Sequence, residues 1–204
     1  MIAIIDYGVG NVTAIGNQLE RLAVEFEVVS SKTQLEGANK VILPGVGAFD
    51  DTMRRLNSSG MRDTLDKKVL GEKVPCLGVC IGMQVMTLGS EEGREPGLGW
   101  FPDSEVVKLA VSEEQERPHL PHMGWNSVNS LQDHAILEGL DFKLGFYFLH
   151  SYRVACPVEN QLLTSDYGVE FPCAIFNGNI FGFQFHPEKS HSNGQTLFRN
   201  FAAL

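Results

Sequence analysis

The segment Val74-Pro75-Cys76-Leu77-Gly78-Val79-Cys80-Ile81-Gly82-Met83-Gln84 restricts the fold more than any other part of this 204-residue chain. A short apolar run enters a Gly-x-Cys-x-Gly turn and leaves it with helical character, so the segment reads as a buried strand turning sharply into a helix. Glycines two residues before and after the central position let neighbouring backbone pass close by, which is the logic of a nucleophile elbow. Cys80 holds that central place, with Gly78 and Gly82 beside it. A thiol at a helix start also feels the positive end of the peptide dipoles, which favours the thiolate. Alone, the pattern describes equally well a cysteine packed as a small hydrophobe.

The rest of the first half supplies a setting for such a strand. Ile2-Ala3-Ile4-Ile5 is an unbroken apolar run of the kind covered on both faces, and Ile15, Leu19 and Leu22 behind it have helical spacing. Phe26 to Val29 reads as a second strand and Val41-Ile42-Leu43 as a third, followed by helical patterns over Asp50 to Leu56 and Met61 to Leu70. Strands separated by helical connections are wired as parallel sheets. From Phe101 onward the pattern changes to shorter extended stretches, which predict antiparallel additions to that sheet. Ala174-Ile175-Phe176 and Ile180-Phe181-Gly182-Phe183, joined around Asn177-Gly178, form a hairpin signal, and Asn193 to Phe201 reads as a closing amphipathic helix. The expected architecture is α/β: one domain over residues 1–204, a mostly parallel central sheet with helices on both faces, and antiparallel strands in the C-terminal half.

A hundred residues past the elbow stands Gly182-Phe183-Gln184-Phe185-His186-Pro187-Glu188. The proline holds His186 in an extended conformation, so His186 and Glu188, two apart, project to one side of a strand end. A nucleophilic thiol needs an imidazole to move its protons, and the imidazole needs an acceptor on its other nitrogen. Taken singly, a packed histidine and a solvated acid are the plainer accounts; joined to the elbow, they read as two parts of one site.

These residues resemble the class I (triad) glutamine amidotransferases, whose Gly-x-Cys-x-Gly elbow and His-x-Glu pair match Cys80, His186 and Glu188. A narrower resemblance, to the family of glutaminase subunits of imidazole glycerol phosphate synthase, rests on four further blocks: Asp6 to Asn11, Pro44 to Phe49, His122 to Asn126 and Tyr147 to Tyr152. Hydrolysis of L-glutamine through a thioester on Cys80 is what the resemblance implies. The amide of Ile81, following the nucleophile, is one natural oxyanion donor, and the family places the other in the Pro44 to Gly47 loop, at Val46 and Gly47; a plain β-turn is the alternative there. Substrate contacts implied by the family fall on Gly45, Gln84, Glu92 and the His150-Ser151-Tyr152 segment, although Gln84 on an exposed helix face and Glu92 in a loop are otherwise ordinary positions.

No cofactor and no metal are expected. His119 and His122 lie three apart in a proline-rich loop without a ligand cluster, and Gly8-x-Gly10 lacks the rest of a dinucleotide fingerprint. Ammonia needs an acceptor site that so short a chain does not show; the resemblance implies a (βα)8-barrel cyclase partner in a heterodimer. Asn11 and Trp125 are the candidates for that contact, with helix capping and core burial as their plainer accounts. A formal net charge of −9 argues against nucleic-acid binding. Four cysteines without CxxC pairs, a start lacking signal-peptide layout and no run of ~20 apolar residues suggest a cytoplasmic chain and no membrane span. Other glutaminases fit less well: the pyridoxal phosphate synthase subunit would show Gly-Gly-Glu-Ser in place of Pro44 to Gly47, and a γ-glutamyl hydrolase would be secreted. A silent scaffold would not need all three of Cys80, His186 and Glu188.

Overall fold

Every apolar run of the first half forms a strand. In a computed structural model, which describes residues 1–110 and 119–204, these are β1 (Ile2–Ile5), β2 (Phe26–Val29), β3 (Lys40–Gly45) and β4 (Cys76–Cys80). The Ser112 to Arg117 stretch, expected as a surface loop or hairpin tip, lies outside the described residues. Between the strands run α1 (Val12–Arg21), α2 (Lys32–Glu36), α3 (Phe49–Ser58) and α4 (Arg62–Asp66), the last widening into one π turn over Lys67–Gly71. A one-turn helix, α5 (Ile81–Gln84), follows β4.

The second half contributes β5 (Glu105–Lys108), β6 (His122–Asn126), β7 (Asn129–Ser130), β8 (Phe146–His150), β9 (Tyr152–Ala155), β10 (Gln161–Asp166), β11 (Glu170–Asn177) and β12 (Ile180–Phe183), then α6 (His191–Ala203). Eight strands make the main sheet in the order β2-β1-β3-β4-β12-β11-β10-β7. The five from β2 to β12 are mutually parallel, and β11, β10 and β7 continue antiparallel. β1, β4 and β12 are buried at every residue, as strands covered on both faces must be. The path from β1 to β2 runs one way along the sheet and from β2 over β1 to β3 and β4 the other. Right-handed crossovers therefore put α1 on one face and α2 to α4 on the opposite one. Consistently, α1 packs with α6 and α2 with α4.

Three expectations need correction. The antiparallel strands after Phe101 do not all extend the main sheet: β5 pairs with β9 and β6 with β8 in two separate two-stranded ribbons. The hairpin between β11 and β12 turns on Gly178 and Asn179, since Asn177 already pairs with Ile180; Gly178, at φ +59°, is the first central residue of a two-residue loop. His122 opens β6 and does not lie in a loop. No helix among the described residues is long and apolar enough to cross a membrane.

Candidate active site

Because β3, β4 and β12 are parallel neighbours, their carboxyl ends finish at one edge of the sheet. Gly45 pairs with Cys80 and Phe183 with Val79, so the chain leaving each strand enters the same crevice. Ligands of open α/β sheets bind at such an edge. Cys80 sits there at φ +55° and ψ −114°, a left-handed conformation that costs a non-glycine residue on the order of 1–3 kcal/mol. The glycines permit the elbow by close approach: a Cβ on Gly78 would lie 2.6 Å from the Gly82 carbonyl oxygen, and one on Gly82 would run into the Leu43 carbonyl. The helix beyond is a single turn, because the carbonyls of Val85 and Met86 bond the amides of Leu98 and Trp100 instead. One turn sums few peptide dipoles, so its field is a small influence on the thiol.

His186 and Glu188 arrive from the chain past β12. Their placement differs from the extended pair expected: the strand ends at Phe183, His186 remains extended, and Pro187–Lys189 coil into a 3-10 turn. Pro187 starts that turn readily, since its missing N–H is not needed there. The turn bends Glu188 back, so that His186 Nδ1 meets Glu188 Oε1 at 2.9 Å with both side chains buried. The backbone amide of His186 donates to Tyr147 O at 2.8 Å, and Ser190 Oγ donates to His186 O at 2.6 Å. Burial works against a charged imidazole, yet the Cys80 sulfur and the Glu188 carboxylate together outweigh it and raise His186 to about 10. Nδ1 thus faces the carboxylate, leaving Nε2 for the sulfur.

Around Cys80 lies a cavity of about 290 Å³ lined by Val46, Gly47, Ile81, Gln84, Glu92, Leu149, His150, Ser151, Tyr152, His186 and Lys189, among others. That is room for one amino acid. Of the residues expected at the substrate, Gly45 alone fails to reach the cavity: it is buried against α5, where a Cβ would lie 2.6 Å from Gly82 N. Gln84 is not on an exposed helix face but 1% exposed, and its Oε1 has no partner. Glu92 does more than occupy a loop, since its Oε2 accepts a 2.8 Å hydrogen bond from the Phe49 amide at the start of α3.

His150 donates from Nδ1 to the carbonyl of Tyr152 at 2.8 Å, which leaves Nε2 to accept from His122 Nδ1 at 3.0 Å. Burial pushes both rings down, His122 to about 4 and His150 to about 3, so they stay neutral and their hydrogen bonds fix the tautomers. Asn11 precedes α1, but its side chain makes no capping bond. Trp125 is 43% exposed and stacks on His191 at 5.2 Å, so it is not a core residue. Lys189, Leu149 and Gln184 were not among the expected site residues. Gln184 had a signal: it lies two before His186, on the same side of an extended chain, and it interrupts an apolar run.

The chain belongs to the class I glutamine amidotransferases: the family model for glutamine amidotransferase class-I matches residues 3–204. The fold agrees. A crystal structure of a glutamine amidotransferase, 20% identical, superposes with a TM-score of 0.73 over all of both chains. The structure of PurLQS from Thermotoga maritima, 16% identical, gives 0.75 over 99% of this chain and 97% of that one. Within the family, the imidazole glycerol phosphate synthase subunits HisH of Leptospira interrogans and of Bdellovibrio bacteriovorus are each 46% identical to this chain over the full length of both.

Proposed function

We propose that the chain, acting as one glutamine amidotransferase domain, is the glutaminase subunit of an imidazole glycerol phosphate synthase in histidine biosynthesis. One observation carries the chemistry: a strained cysteine at the sheet edge meets a buried His186–Glu188 pair above an amino-acid-sized cavity. The full-length HisH relatives support the biological role.

In this reading Cys80 Sγ attacks the side-chain carbonyl carbon of L-glutamine. Backbone amides of Ile81, Val46 and Gly47 stabilise the oxyanion. His186 gives its proton to the departing ammonia as the C–N bond breaks, leaving a γ-glutamyl thioester, then takes a proton from water, which attacks the thioester and releases glutamate and the thiol. Glu188 orients His186 and offsets its charge. Gln84, Glu92 and the His150-Ser151-Tyr152 segment hold the amino-acid end of the substrate; Gly45 acts through packing alone. No cofactor takes part. Ammonia passes to a (βα)8-barrel cyclase, which makes imidazole glycerol phosphate and the aminoimidazole carboxamide ribonucleotide. Trp125 and Asn11 are the contacts we assign to that partner, and the cytoplasm is where we place the complex.

Glutamate release measured with and without a purified cyclase tests the proposal. Cys80→Ala should abolish glutamine-dependent synthesis in the complex while synthesis from added ammonia persists. Equal loss of both activities would make Cys80 structural, and absence of glutamate release from the wild-type complex would reject the reading.

A further inference from the structure

Gln184 is completely buried in the segment between β12 and His186, and it plays no part in the chemistry above. Its backbone amide donates to Cys173 O at 2.9 Å, so the main chain accounts for its position. The side chain has a second set of partners. Gln84 Nε2 donates both to the backbone carbonyl of Tyr152, at 3.1 Å, and to Gln184 Oε1, at 2.9 Å, while Gln184 Nε2 lies 3.8 Å from Cys80 Sγ.

The orientation of both amides follows from one fixed acceptor. A backbone carbonyl only accepts, so the Gln84 atom against Tyr152 O must be its NH2 group. Both donors of that group are then committed, and the buried Oε1 of Gln84 is left without a protein partner. A nitrogen of Gln184 facing the Gln84 NH2 would set donor against donor, so Oε1 must face it. That choice turns the Gln184 NH2 toward Cys80. The sulfur also lies 3.8 Å from Leu149 O, an acceptor that suits a thiol and opposes a thiolate. Gln184 supplies the donor that suits the thiolate.

We infer that Gln184 is a positioning residue that couples the two ends of the site, its N–H steadying the Cys80 sulfur in its anionic form and its carbonyl holding the Gln84 side chain in place at the cavity wall. The inference rests on the glutaminase reading only for its substrate half. Other titratable groups around the sulfur are His186, with Glu188 behind it, from the chain after β12; His150 at the end of β8 and Tyr152 at the start of β9; and Glu92 and Lys189 at the cavity wall. None of these is removed by a change at Gln184.

The test is Gln184→Met, close in volume and without a donor, alongside Gln184→Glu. Alkylation of Cys80 by iodoacetamide, followed from pH 5 to pH 9 by mass spectrometry, reads the sulfur without any need for turnover. Gln184→Met should react about tenfold more slowly at neutral pH, the scale of one lost hydrogen bond to a charged group. In the complex with the cyclase it should also raise the KM for glutamine about tenfold, as Gln84 loses one of its two anchors. Gln184→Glu offers a donor only while its carboxyl is protonated, so its alkylation rate relative to wild type should fall as pH rises. A residue that merely fills space would leave the alkylation profile unchanged in both folded variants, and that result would overturn the inference. Should either variant misfold, the side-chain amide resonances of Gln184 in 15N-labelled wild-type protein decide: they should move when Cys80 is titrated, and insensitivity would reject the contact. Altered alkylation without glutamate release from any form of the complex would retain the contact and discard the glutaminase reading.

Discussion

Replacing Glu188 by Gln keeps the shape of the residue and removes its charge. The carboxylate receives His186 Nδ1 through Oε1, while Oε2 is buried without a partner. The new NH2 group must therefore take the unpartnered place, where an unsatisfied buried donor costs about 1–3 kcal/mol, or turn toward Nδ1 and reverse the imidazole tautomer. Either way the imidazolium no longer faces a charged acceptor, which lowers the titration of His186 by about one to two pH units from its value of about 10. The sign for stability follows from a folded value raised above the ordinary 6.5. The contribution of His186 is fully present below about pH 6.5 and lost as pH rises through about 10. Glu188→Gln should lose that contribution earlier in the rise. Turnover should fall on the order of 100-fold, less than for Cys80→Ala, because the thiolate retains much of its intrinsic nucleophilicity. NMR titration of the His186 ring, thermal unfolding between pH 6.5 and 10, and glutamate release in the complex measure the three effects. A folded variant whose ring titrates as in wild type and whose turnover is unchanged would refute the reasoning and remove Glu188 from the mechanism.

A glutamine-analogue electrophile should acylate or alkylate Cys80 and spare the other cysteines. Burial pushes the thiols of Cys76 and Cys173 far up and that of Cys156 to about 11, so labelling of any of these with Cys80 untouched would be contrary. Strain at Cys80 predicts that Cys80→Gly is more stable than Cys80→Ala by about 1 kcal/mol in urea unfolding, the reverse of the usual order in a strand. Glutamate release should be lowest in the free subunit and highest with the cyclase and its nucleotide both bound; equal rates in all three states would reject control by the partner.

Much of the parallel half was legible because fully buried strands leave an unbroken apolar signature. Ile2 to Ile5 and Val41 to Leu43 announce themselves, and the glycine spacing around Cys80 restricts what can surround it. The antiparallel half was less legible, since β6 and β8 mix polar and apolar residues and nothing local says that they pair with each other instead of the main sheet. The His186–Glu188 approach was foreseen from side-chain alternation, but the means differ: a proline-initiated 3-10 turn performs the juxtaposition. Gln84 was read as lying on an exposed helix face. A single turn has none here, and its burial depends on contacts from Tyr152 and Gln184, 68 and 100 residues away along the chain.

The parts of the site differ in how firmly they are held, and that difference limits where a partner can act. Cys80, Gln84, Gln184 and His186 are buried and bound to one another or to backbone. The loop after β3 is fixed at its two ends: Tyr7 Oη donates to Pro44 O at 2.5 Å, Gly45 packs on Gly82, and Glu92 holds the amide of Phe49. Between those ends stand only Val46, Gly47 and Ala48. Val46 is 43% exposed, and Gly47, at φ +100°, has open space where a Cβ would be. A span so short between fixed ends has little scope for wholesale displacement, but rotation of a single peptide within it would turn an amide we propose as an oxyanion donor into or out of the site. We propose that a partner controls turnover through that rotation, by binding one orientation better than the other. The two glycines then have different parts: Gly45→Ala would disrupt packing against α5, whereas Gly47→Ala would disfavour the left-handed backbone by about 1 kcal/mol without a steric clash, so only the latter reports on the rotation itself.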